Sequence, residues 1–175
     1  MGIEFPYVIS RHKVVTLRGN QPYQNSWPIV KDLSTPDKIY IRHTPGDMVL
    51  IGTGDHGDPI DEPDTLTDDV DMEHLDRIGR LMSNRMPSFF EEAEFAAGWT
   101  GPYDITPDWH PVMGWAPGIE GLYLAVGFSG HGLKLSPAIG EVTAATVLGK
   151  EPAFDVWPLR AERFAEGEPM YLAYG

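Results

Sequence analysis

Residues 121–149 read GLYLAVGFSGHGLKLSPAIGEVTAATVLG, an apolar run that breaks into a glycine-studded loop and then into helix-forming sequence. No other stretch narrows the possible folds as far. The run 121–126 is almost continuously apolar, which suits a strand buried on both faces. A helix is predicted from Leu133 to Leu148, with Ser136–Pro137 in its first turns and Gly149 as its stop. A buried strand that feeds a helix belongs to a parallel α/β sheet, yet the rest of the chain offers it no evident parallel partner.

What precedes it looks antiparallel. YVISRHKVVTLRG (7–19) alternates apolar and polar residues and reads as a strand, followed by a loop, NQPYQNS (20–26). WPIVKDL (27–33) reads as an edge strand, because Pro28 removes a ladder donor. KIYIRHTPGDMVLIGTG (38–54) is a hairpin about the turn TPGD. An acidic loop then leads to a helix that Asp68, Asp69 and Asp71 can cap, with Leu75, Ile78, Leu81 and Met82 on one face and Pro87 as its end. A further strand is predicted within 92–106, then a Pro- and Trp-rich connection, PDWHPVMGWAP (107–117), and a turn of helix over 160–164. The tryptophans read as core. The class is therefore α+β: a largely antiparallel, mixed sheet covered by helices, plus the C-terminal strand–Gly loop–helix unit.

Composition excludes several partners. The 175 residues carry 13 Lys+Arg against 26 Asp+Glu, a formal net charge of −13, which argues against nucleic acid and anionic membrane surfaces. Without cysteine there is no disulfide, iron–sulfur cluster or thiol chemistry, in keeping with a cytoplasmic protein. No apolar run approaches the roughly 20 residues of a membrane span.

The loop VGFSGHGLK must then be explained. A hydrolase elbow needs G-x-S-x-G; Ser129 has Gly127 before it, but His131 stands in the second glycine position. A phosphate loop needs G-x-x-x-x-G-K; Gly127 and Gly132 have the spacing, but Leu133 stands where lysine is required. A third possibility remains. Gly127, Gly130 and Gly132 let backbone pass close to a flat ligand, and the following helix turns its positive end and free N–H groups toward it. Lys134 adds a full positive charge.

On these residues GLYLAVGFSGHGLKLSPAIGE resembles the C-terminal flavin-contacting signature of FAD-dependent amine and amino-acid oxidoreductases, the sarcosine oxidase, dimethylglycine dehydrogenase and D-amino-acid oxidase superfamily. WPIVKDLSTPDKIYIRHTPGDMVLIGTGD resembles its substrate-domain hairpin, GWTGPYDITPDWHPVMG the segment with a Thr-Pro-Asp core, and FDVWPLRAERF the closing segment. The resemblance implies a substrate-binding α+β domain over 3–115 and, over 119–165, the C-terminal segment of the FAD-binding domain. The N-terminal Rossmann half, with its G-x-G-x-x-G, has no counterpart in this sequence. It further implies that Gly127, Phe128, Ser129, Gly130, His131, Gly132, Leu133 and Lys134 contact FAD, and that Lys134 holds a substrate carboxylate. Gly101 falls near the position where monomeric sarcosine oxidases attach flavin to cysteine, so the FAD is non-covalent. The oxygen-activating lysine of those oxidases is missing from DMVLIGTG, which leaves a dehydrogenase open.

Lys134, His131 and Tyr40 are the candidate catalytic residues, each with a plainer alternative. His131 suits backbone positioning as well as proton transfer. Lys134 could be a solvated helix lysine, and Tyr40 and Arg42 alternate with Ile39 and Ile41 whether they face substrate or only cover a sheet. Asp55, His56, Asp58 and Asp61 lack the spacing of a known metal site and read as solvated loop. Thr106 and Asp108 suit turn hydrogen bonds. Two functions stand: part of a flavoprotein acting on an amino-acid or amine substrate together with an FAD-binding half or subunit, or a non-catalytic module that binds a partner or self-associates without flavin.

Overall fold

The computed structural model describes residues 5–19, 28–46, 48–54 and 58–170. They form two compact units, one of residues 10–102 and one of 103–170 with 5–9. The loop read at 20–26, Trp27, Asp47 of the hairpin turn, and Asp55 and His56 lie outside the described residues.

The unit 10–102 is built on a five-stranded sheet in the order β2-β3-β4-β1-β5. Its strands are β1 (Val8–Arg18), β2 (Val30–Lys31), β3 (Tyr40–His43), β4 (Met48–Gly52) and β5 (Glu94–Ile105). The hairpin forms as expected, with Tyr40 opposite Gly52 and His43 opposite Val49, and β1 pairs antiparallel with β4 from Val14–Gly52 to Arg18–Met48. The short strand β2 takes the edge, beside β3.

Period-two alternation puts Val15, Leu17, Ile39, Ile41, Val49 and Ile51 on one face of this sheet. That face is closed by Ile78 and Met82 of helix α1 (Met72–Arg85), flanked by Leu75 and Leu81. Each aliphatic side chain so removed from water contributes about 1.5–3 kcal/mol. Of the three candidate capping aspartates, Asp71 is the N-cap and accepts the His74 N–H at 2.8 Å. Such a cap stabilises by about 1 kcal/mol. Pro87 ends α1 through its neighbour: Met86 leaves the helical region at φ −137°, ψ 62°, and Pro87 opens a short second helix, α2 (Pro87–Phe90). No helix among the described residues is long and apolar enough to cross a membrane.

In the unit 103–170, β6 (Val112–Trp115) and β7 (Tyr123–Val126) form a two-stranded antiparallel sheet, Val112 opposite Val126 and Trp115 opposite Tyr123. This corrects two expectations. The segment 112–115 is a strand rather than part of a connection; Pro111 and Gly114 punctuate it, but Gly114 sits at φ +142°, which only glycine adopts readily. And 121–126, expected to lack a parallel partner, pairs antiparallel with β6 instead; nor is it buried on both faces, since only Leu124 of β7 is fully buried. Val112, Ala116 and Leu124 make the small core, with Phe5, Val126 and Phe164 packed on it.

The helix predicted at 133–148 is α3 (Gly132–Val147), and Gly149 stops it at φ +69°. Pro137 has no N–H for the Leu133 carbonyl; the Ser136 hydroxyl donates to that carbonyl instead, at 2.9 Å. The expected turn of helix forms over Ala161–Phe164. Three of the tryptophans expected in the core are not there: Trp99, Trp115 and Trp157 are all substantially exposed, while Trp109 is half-buried and Trp27 lies outside the described residues. Indole faces serve local contacts here, Trp157 beneath the Arg160 guanidinium at 4.6 Å and Trp115 edge-on to Tyr123 at 5.5 Å.

Candidate functional site

The segment between β7 and α3 turns sharply because three of its residues are left-handed: Gly127 (φ +69°), Ser129 (φ +50°) and Gly130 (φ +78°). Ser129 is not glycine, so its conformation costs free energy that neighbouring contacts must offset. Those contacts come from the end of β5. The Asp104 carboxylate accepts the Gly127 N–H at 2.8 Å, and the Asp104 carbonyl accepts the Ser129 N–H at 3.3 Å. The Ser129 hydroxyl donates to the Gly127 carbonyl and accepts the Thr106 N–H at 3.2 Å. Ser129 is buried, so it serves as an internal brace and exposes no nucleophile.

The glycines fit this same brace. A Cβ on Gly127 would come within 2.6 Å of the Thr106 methyl, and one on Gly130 within 2.2 Å of the Tyr103 ring. At both positions the missing side chain makes room for the chain's own residues. Burial pushes the Tyr103 phenol above its ordinary pKa.

Helix α3 starts without a side-chain cap; His131 is its N-cap residue and is half-buried. Among the described residues nothing accepts the N–H groups of Gly132, Leu133 and Lys134. Leu133 is 91% exposed, and Lys134 is exposed and pairs with no carboxylate among the described residues. Free donors and the positive end of a helix dipole thus meet at the start of α3, whose first turn also carries the unpaired Lys134. Their chemistry suits an acceptor-rich or anionic group, such as the pyrimidine edge of a flavin or a carboxylate.

Tyr40 belongs to the unit 10–102. Its ring lies over Gly52, where a Cβ would come within 2.2 Å of Oη. Alternation sets it and Arg42 on the sheet face turned away from α1, and Arg42 is exposed with no partner among the described residues. Asp58 lies near Lys13 at 3.4 Å and Arg11 at 3.9 Å. A concavity of about 300 Å³ beside them is lined by charges that largely pair with one another, Lys13 with Asp71 at 2.6 Å among them. Thr106 and Asp108 make the expected turn bonds, the Thr106 hydroxyl donating to the His110 carbonyl at 2.8 Å and Asp108 accepting the His110 N–H at 3.1 Å.

Sequence reasoning missed three residues around the loop. Tyr103 and Asp104 sit inside a recognised strand, where alternation alone does not say which end braces a distant loop. Arg163 was read only as part of a helical turn, yet it is fully buried against Asp108.

The family described as FAD dependent oxidoreductase matches residues 2–146. The chain is 34% identical over 113 residues to FAD-dependent oxidoreductase domain-containing protein 1 of Xenopus laevis, covering 63% of this chain and 22% of that protein. It is 28% identical to peroxisomal sarcosine oxidase of Mus musculus over 98% of this chain and 46% of the relative. The crystal structure of L-proline dehydrogenase from P. horikoshii superposes with a TM-score of 0.80 at 25% identity, over 97% of this chain and 43% of that one. The chain therefore spans less than half the length of each of these proteins. With the profile matched across most of its residues, and the sheet and glycine loop in place, the chain belongs to the family of FAD-dependent oxidoreductases.

Proposed function

We propose that this chain supplies the substrate-binding and flavin-contacting part of an enzyme that oxidises the CH–NH unit of an N-methylated or other amino acid. The observation that carries the reading is the open N-terminus of α3, where the N–H groups of 132–134 and the Lys134 ammonium stand without acceptors among the described residues. The similarity to a sarcosine oxidase supports the substrate class.

When bound, FAD supplies a two-electron acceptor for the hydride equivalent that leaves the carbon beside nitrogen. The segment 127–134 holds it non-covalently, since Gly101 offers no thiol. The amides of 132–134 favour negative charge on the group they face. Lys134 orients a substrate carboxylate, and His131 fixes the backbone at the entry to α3. Residues 3–115 act as the substrate domain and 119–165 as a segment of the FAD-binding domain, whose dinucleotide-binding half lies on another part of the protein or on another subunit, in the cytoplasm.

The test uses a protein that joins this chain to a half bearing G-x-G-x-x-G. It should purify yellow, and an N-methyl amino acid should bleach the visible flavin band without oxygen. A colourless product, or a flavin that no amino acid reduces, would overturn the reading. The 175 residues alone should bind FAD weakly or not at all, because their sequence has no G-x-G-x-x-G for the ADP half.

The exposed face of α3 favours an additional role in association. Val142 is its one buried residue, while Leu133, Val147 and Leu148 are 91%, 50% and 69% exposed. Apolar side chains left exposed at both ends of one helix suit an interface. Sedimentation of the chain at micromolar concentration should show species larger than a monomer; a single monomeric boundary would contradict this.

A further inference from the structure

Resting on the reading of 127–134 as the ligand-contacting segment, we propose that Arg163 and Asp108 are positioning residues for that loop, acting through Thr106 on Ser129. Arg163 and Asp108 are both 0% exposed at their side chains. The five N–H groups of the guanidinium match five acceptors. Nε donates to Asp108 at 2.8 Å, Nη2 to Asp108 at 3.0 Å and the His110 carbonyl at 2.9 Å, and Nη1 to the carbonyls of Leu159 at 2.9 Å and Arg160 at 3.1 Å. Asp108 also accepts the Met170 N–H at 3.0 Å. The clasp thus ties the turn after β5 to the tail 159–170.

Thr106 carries this order to the loop with three different groups. Its hydroxyl donates to the His110 carbonyl, the same carbonyl that Arg163 holds, and lies 3.4 Å from the Ser129 hydroxyl. Its N–H donates to that Ser129 hydroxyl, and its methyl fills the space a Gly127 Cβ would need. A left-handed serine persists only where its surroundings over-determine it. Beside the two bonds from Asp104, the contacts that Thr106 makes here trace back through the His110 carbonyl to Arg163. Ordinary packing of a tail onto a core would need none of these polar links to the loop.

The experiment is residue-resolved amide hydrogen exchange on the 175-residue chain. Thr106→Val keeps the methyl and the volume and removes only the hydroxyl. Exchange at 127–131 should quicken about tenfold, as expected for losing one buried hydrogen bond, while 112–115 and 123–126 keep their protection. Thr106→Ser, which retains the hydroxyl, should restore most of the protection. Arg163→Lys should quicken the same amides in the same direction; should it fail to fold, the two Thr106 variants still decide. Unchanged exchange at 127–131 in Thr106→Val, or a uniform rise across 112–131, would overturn the proposal. No flavin enters the measurement, so its failure is distinct from a failure of the flavin bleaching test.

Discussion

Arg163→Met is expected to lose about 3–5 kcal/mol of folding free energy, the range for breaking a buried ion pair by removing one partner. Methionine approximates the stem but leaves the Asp108 carboxylate dry and without its counter-ion, strands the Leu159 carbonyl and leaves the His110 carbonyl with the Thr106 hydroxyl as its donor. Asp108 would then retain only the N–H groups of His110 and Met170 and the nearby Thr106 hydroxyl. Urea unfolding at neutral pH measures the loss directly; a change below about 1 kcal/mol would mean that the pair is nearly neutral to stability.

The pH dependence has a definite sign. Burial pushes the Asp108 carboxyl up, but hydrogen bonds from Arg163, Met170 and His110 outweigh it and hold the pKa at about 2, below the ordinary 3.8. A depressed folded-state pKa adds stability above the unfolded value and loses it as pH falls from about 4 toward 2. In Arg163→Met the balance reverses, because burial then dominates and the neutral acid becomes the favoured folded form. The gap between the two proteins should therefore narrow as pH falls from 7 toward 4.5. A constant gap would show that the lost energy is packing rather than charge.

Arg163 also marks where the sequence stops being legible. Alternation and turn chemistry located the hairpin, the edge strand and the Asp71-capped helix, because each of those signals is local. The pairing of 112–115 with 123–126 was missed because its glycine and proline resemble a connection, and a left-handed Gly114 within a strand has no local signature. Continuous apolarity at 121–126 overstated burial: it reports hydrophobic character, not what covers the strand. The candidate loop was legible as a motif but not as a mechanism. Glycines at 127 and 130 suggested close approach by a ligand, whereas their missing side chains accommodate Thr106 and Tyr103. The partner of a buried aspartate 55 residues away along the chain cannot be read from composition, since any of the arginines would satisfy it equally well on paper.

Lys134→Met should separate binding from folding. Lys134 is exposed at the open end of α3 and pairs with no carboxylate among the described residues, so its loss removes no internal contact. Methionine retains the apolar stem, and stability should stay within about 0.5 kcal/mol of the parent. Toward substrate the expectation is different. A charge-assisted hydrogen bond to a carboxylate contributes roughly 1.5–3 kcal/mol, so affinity for an N-methyl amino acid should fall about tenfold to a hundredfold. The decarboxylated amine has nothing for the ammonium to hold and should be affected little. Steady-state kinetics on the flavin-containing enzyme, with both substrates side by side, reads the difference as a KM increase confined to the acid. An equal loss for acid and amine would point to disturbance of the flavin-contacting loop rather than a lost anchor. If neither substrate responds, Lys134 is a solvated helix lysine and the carboxylate is held elsewhere.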